Sequence, residues 1–232
     1  MSQQTAAPAK EAKPAPPKPQ RPPVPPVPPE FQADRIMKLD APSLIRILQD
    51  PNSSEFEKSK ACMQLALVGD KNAVPALAAL LSNPKLSHYA RFGLVPIPDP
   101  SVDEAFRATL STAKGTLLVS MIDAIGQRRD TGAVEALKPF VYGSDKDAAL
   151  AAIASLGMIS GPAAPVLLEA LQKTSDPLRK EVAAAGLVCA EMFLNRGERQ
   201  QAMDLYTRLS QPDIPKVVRL AAMHNILAAE RH

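Results

Sequence analysis

The chain has 232 residues, with 27 Lys and Arg against 24 Asp and Glu, 24 Pro, 2 Cys, no Trp and only 4% aromatic residues. That length permits one or two domains, and 46% hydrophobic residues with so few rings imply an aliphatic core. The net charge of +3 is too small for the basic stripe of a nucleic-acid-binding domain, and no apolar run approaches the roughly 18 residues of a membrane-spanning helix.

Residues 1–30 hold eleven of the 24 prolines. Proline fixes φ and lacks an amide donor, so this tail is expected to be disordered or polyproline II rather than helix or sheet. Lys10, Lys13, Lys18 and Arg21 outnumber Glu11 and Glu30, which leaves the body close to neutral. The tail reads as a tether, with a P-x-x-P spacing at Pro22, Pro25 and Pro28 that would let it dock on a partner or lie along the body. Met1–Lys10 has no apolar signal segment. A cytoplasmic location is therefore expected if Met1 is the native start, and a periplasmic or exported one if a signal segment has been removed.

Residues 31–53 are expected to form N-terminal cap helices, with one helix over 41–50. Beyond them the chain repeats. Leu65, Leu94 and Ile125 correspond, as do Asp70, Asp99 and Asp130, and then Leu77, Phe106 and Leu137, with Leu167 following. The period is about 30 residues, which is the scale of stacked helical hairpins. Leu118, Met121, Ile122 and Ile125 fall at i, i+3, i+4 and i+7, one stripe of a helix. Helix pairs are expected to start near 54, 85, 114, 144 and 175. Capping boxes are expected at Ser54–Glu57 and Ser101–Glu104, an Asp variant at Ser144–Asp147, and an N-cap at Ser175–Pro177. Pro96, Pro98 and Pro100 should cut one first helix short and leave a notch beside His88 and Tyr89. The fold class is all-α, a solenoid of stacked hairpins over 54–174, with a C-terminal region over 175–232 that ends in a cap helix at 215–230.

Little in the chain suggests chemistry. Cys62 and Cys189 lie far apart in apolar helical patterns and read as buried thiols. There is no H-x-x-x-H, C-x-x-C, Gly-rich phosphate loop or nucleophile elbow. No catalytic residue, cofactor or metal site is expected, and the protein is not expected to be an enzyme. Asp70, Asp99 and Asp130 recur one per repeat, too far apart to share an ion, and read as helix caps. His88, Tyr89, Arg91, Arg107, Arg128, Arg129 and Lys138 are the candidate partner-binding residues, from the irregular repeat, the turns and the second helices. Ala78, Ala79, Ala108 and Ala136 on the second helices would form a smooth groove where exposed.

The unit A-x-x-x-[LI]-G-x-x-x-D-x-x-A-V-x-A-L resembles the short HEAT-like repeat, the form also seen in phycobilisome-lyase-type proteins. The resemblance covers roughly residues 41–232. The stretch Lys85–Pro100 with the turn at Gly126–Asp130 is similar to HEAT-like arrays of exported multidomain bacterial proteins. Gly197, Ala202, Tyr206 and Leu209 resemble the tetratricopeptide pattern. The resemblance implies a non-catalytic scaffold or complex subunit that binds proteins, or a peptide or helix of one, along its surface. The alternative it implies is a regulatory or lyase-like module associated with an enzyme or cut from a longer chain.

Overall fold

The computed structural model describes residues 33–229. The proline-rich tail lies outside the described residues.

Thirteen α-helices follow one another, and no strand occurs among the described residues. Helix α1 (Ala33–Ile36) and helix α2 (Ala41–Gln49) lead into α3 (Glu55–Val68) and α4 (Val74–Ala78). Then come α5 (Ser87–Leu94) and α6 (Pro100–Thr109), α7 (Gly115–Arg128) and α8 (Val134–Val141), α9 (Lys146–Ile159) and α10 (Ala164–Lys173), α11 (Leu178–Asn195) and α12 (Arg199–Leu209), and finally α13 (Lys216–Ala229). The starts of α3, α5, α7, α9 and α11 fall within three residues of the expected ones. First helices pack on first helices, in the order α3, α5, α7, α9, α11, while the second helices form the other layer. The fold is an all-α solenoid of stacked hairpins. A single hairpin cannot bury its apolar face, but stacking gives each face a neighbour.

Equivalent positions of the repeat meet in one continuous core. Leu65, Leu94 and Ile125 are fully buried on the first helices, and Leu77, Phe106 and Leu137 on the second. Small residues set how closely the first helices approach. A Cβ on Gly126 would sit 2.7 Å from the Ser155 Cβ, and one on Gly157 would sit 2.8 Å from the Ala185 carbonyl oxygen. Ser155 also donates its hydroxyl to the Ile122 carbonyl at 2.9 Å, which ties α9 to α7. By contrast α5 makes little contact with α7. The array is therefore close-packed from α7 onward and parted at the irregular repeat.

Asp70, Asp99 and Asp130 each accept the backbone N–H two residues further on, from Asn72, Ser101 and Gly132. Asp70 and Asp130 do so at the head of short 3-10 turns, Lys71–Ala73 and Thr131–Ala133, that lead into α4 and α8. Ser54 and Glu57 form the expected reciprocal capping box. The other expected boxes are displaced. Asp99 rather than Ser101 caps α6, because Pro100 already occupies its first position. Asp145 rather than Ser144 caps α9, and α11 starts after Pro177 with no side-chain cap.

Candidate functional site

Pro96, Pro98 and Pro100 do cut α5 short, since it ends at Leu94. The carbonyls that immediately precede the three prolines all accept from one side chain. Arg128, at the end of α7, donates to Val95, Ile97 and Asp99 carbonyls at 2.8, 2.7 and 3.1 Å. It also forks onto the Asp103 carboxylate at 2.5 and 3.2 Å. All five guanidinium donors are thus used, and the side chain is only 10% exposed. Arg128 is an internal clasp that holds the irregular loop, not the free partner contact expected of a surface turn.

Two further candidates are engaged inside the array as well. Arg107 pairs with the buried Asp130 carboxylate at 2.5 Å and lies over Gly132. Lys138 reaches from α8 to Glu169 on α10 at 2.7 Å, where Lys173 joins at 2.6 Å. Hydrogen bonds from these two lysines hold the Glu169 carboxyl down to about 2. Arg129 stays exposed, in the left-handed conformation (φ 55°) that ends α7.

His88, Tyr89 and Arg91 are brought together on α5. The His88 and Tyr89 rings meet edge to face with centroids 5.6 Å apart, and Arg91 Nη2 lies 3.4 Å from His88 Nδ1. Tyr89 turns inward against the core. His88 and Arg91 line a cleft of about 390 Å³ between α5 and α7, with Ser87, Thr116 and Ser120 among its walls. The cleft lies at the N-terminal half of α5, not at the proline-cut end where the notch was expected, and Tyr89 is not among its walls. Arg91 Nε is buried without a hydrogen-bond partner, and Arg91 makes no ion pair among the described residues.

That cleft is one end of a longer groove. Thr116 and Ser120 also line the next depression, of about 710 Å³, with Val119, Asp123, Asp145, Asp147 and Leu150. Leu150 and Ala154 continue into a third, of about 510 Å³, whose far wall is Glu181, Ala184 and Val188 on α11. The groove crosses the first-helix layer, not the second-helix surface where exposed alanines were expected to form one. Its floor is apolar, with Leu150 and Val188 exposed by 43% and 39%. Its acidic groups are Asp123, Asp145, Asp147 and Glu181, and burial pushes the Asp123 carboxyl up while Arg91 pulls it down.

Sequence reasoning missed this groove. α9 is apolar almost all round, so Leu150 looks like any core leucine of that helix. The available signal was Asp147, which shares Leu150's face three residues earlier and marks that face as solvated. A second apolar patch lies at the end of the array, where α13 exposes Val217, Leu220, Met223 and Leu227.

No described helix is long and apolar enough to cross a membrane. Among the described residues no three His, Cys, Asp or Glu side chains gather as a metal site. Cys62 and Cys189 are free and fully buried.

A family model described as HEAT repeats matches residues 104–188, the stretch from α6 through α11. The chain thus contains a HEAT-repeat-like helical domain. No curated protein matches it. Among solved structures, two engineered proteins from the Northeast Structural Genomics Consortium resemble it. One is 16% identical with a TM-score of 0.47 and is matched over 82% of this chain and 96% of its own. The other is 17% identical with a TM-score of 0.47, over 83% of this chain and 58% of its own.

Proposed function

We propose that this HEAT-repeat-like array is a protein-interaction scaffold that receives an extended or helical segment of a partner protein in the groove across α5, α7, α9 and α11. The observation that carries the reading is the groove's floor. Leu150 and Val188 stand exposed beside Ala154 and Ala184, so two successive helices present apolar surface that no side chain among the described residues covers. Contiguous exposed apolar surface rimmed by polar groups marks interaction sites. The acidic rim favours a partner segment with basic residues. His88 and Arg91 belong to the same surface, with Tyr89 packed behind them against the core, and Arg129 stands exposed at the turn after α7.

In this reading residues 1–30 are a separate arm, 31–53 close one end of the array, 54–174 carry the HEAT-like units and 175–232 complete it. The finer likeness to the short phycobilisome-lyase-type repeat rests on the 30-residue period. The tetratricopeptide likeness of α12 rests on Ala202, Tyr206 and Leu209, which all face the core.

The test is affinity capture with the full chain and with Leu150→Arg, which places a charge in the groove floor. The reading expects a partner that the parent chain retains and the variant loses. A partner held equally well by Leu150→Arg, or none above background, would overturn it.

A further inference from the structure

Helix α13 is apolar on both sides. Val218 and Ala222 are buried, and the helix packs on α11 and α12. On its outer side Val217, Leu220, Met223 and Leu227 are 81%, 54%, 44% and 58% exposed. They are four of the ten large hydrophobic residues exposed among the described residues, and no other helix gathers as many. At the opposite end of the array, α2 exposes Pro42, Arg46 and Gln49. An array end that faces water needs a polar outer surface, and α13 does not supply one.

The outer face of α13 is also complementary to itself. Val217, Leu220, His224 and Leu227 follow at steps of three, four and three, the seam spacing of paired helices, and His224 is exposed with the others. Consider two copies of α13 laid antiparallel about a two-fold axis beside Ala222. Val217 then falls opposite Leu227 of the second copy, and Leu220 opposite its His224. A face that matches itself in this way is what an isologous dimer requires. Like charges do not oppose the contact. Helix α13 holds no Asp or Glu, and its cations are Lys216 at the first turn and Arg219, which donates to the Pro212 carbonyl at 3.1 Å. The two Lys216 side chains would stand at opposite ends of the pair.

The area is sufficient as well. Taking roughly 150 Å² for a full aliphatic side chain, the four hydrophobic residues expose on the order of 350 Å² per copy. Two copies would bury about 700 Å² of apolar surface, and homodimer interfaces are about 65% apolar. The total is then about 1,000 Å², the size from which a specific interface becomes stable.

We propose that α13 is a dimerisation surface that joins two copies of this chain end to end, in antiparallel pairing along Val217, Leu220, His224 and Leu227. This seam shares no residue with the groove across α5, α7, α9 and α11. The dimer therefore carries two grooves, and a partner with two matching segments would gain avidity.

The test is sedimentation equilibrium of the full chain. Its mass is expected to double as the concentration rises and to go no further. Leu220→Arg places unpaired charges at the centre of the seam and should raise the dissociation constant by roughly a hundredfold. Leu67→Arg, at a 76% exposed site on α3, should leave it unchanged. Orientation is read by disulfide trapping, in which Cys62 and Cys189 stay silent because both are fully buried. Val217→Cys/Leu227→Cys should cross-link two copies under mild oxidation, and neither single variant should. In the antiparallel pair the two copies of residue 217 are separated by ten residues of helix, about 15 Å, beyond the reach of a disulfide. Circular dichroism confirms that each variant stays helical. A monomer at every concentration, which would leave this face to another protein, overturns the proposal. So does a mass beyond the dimer, a Leu220→Arg chain that associates like the parent, or cross-linking of the single variants, which would mean parallel helices. No partner protein enters the measurement, so its failure leaves the Leu150→Arg capture result standing.

Discussion

Replacing Arg128 by Met removes the guanidinium and keeps most of the side-chain length. The parent side chain is 10% exposed and its Asp103 partner 22% exposed. Removing one member of a buried ion pair costs about 3–5 kcal/mol, because the other charge is left uncompensated. Water can reach part of Asp103, which argues for the lower end of that range. Against this, the Val95, Ile97 and Asp99 carbonyls also lose a charged donor, at about 1 kcal/mol each where water does not replace it. A loss of about 3–5 kcal/mol follows, a large share of the 5–15 kcal/mol typical of a folded domain. In a chain of this size that lowers the melting temperature by on the order of 10 °C. Because repeats contact only their neighbours, the first region to open should be the loop between α5 and α6. Urea denaturation supplies the energy, and amide exchange over residues 95–103 supplies the location. Arg128→Lys should recover only part of the loss, since an ammonium cannot serve the fork and the carbonyls together. Exposed Arg129→Met should stay within about 0.5 kcal/mol of the parent. If Arg128→Met stays within about 1 kcal/mol of the parent, the clasp does not hold the irregular repeat and the reasoning fails.

Gly157→Ala should destabilise by about 1–3 kcal/mol, because its Cβ would meet the Ala185 carbonyl at 2.8 Å and force α9 from α11. Alanine's better helix propensity works the other way by about 1 kcal/mol, so a variant as stable as the parent in urea would show that the two helices yield freely. The two thiols should resist a thiol reagent at pH 8 in the native protein and react in full on unfolding, and rapid labelling of either in the folded state would contradict their burial. Burial pushes the Cys62 thiol from 9.0 up to about 12. The folded state thus holds this proton more tightly than the unfolded one. Its contribution to stability is complete below pH 9 and is lost as the pH rises from about 9 toward about 12, which urea melts of the parent and Cys62→Ala across that range would show.

The repeat architecture was legible because each unit must bury the same face in the same way. Leu77, Phe106 and Leu137 repeat for that reason, and so do the aspartates that start the second helices. The early end of α5 was legible because three prolines cannot continue a helix whatever surrounds them, but the cleft beside His88 lies at the other end of that helix. The roles of the arginines were not legible. Arg128 and Arg129 are adjacent in sequence, yet one is largely covered with every donor used and the other is exposed, because Arg129 falls where the helix ends in a left-handed turn. Arg128's partners lie 25 to 33 residues upstream.

The sequence by itself determined the helices, their period, the aliphatic core and the place where the array is irregular. These follow from local physics: periodic burial, capping, and the geometry of proline. Only the tertiary structure decided which surface is free. Leu150 and Leu156 are both leucines of α9, one exposed and one fully buried, and what separates them is which neighbouring helix stands over each. The groove exists because stacking covers every face of the first helices except one, a property of neighbours that no single repeat contains.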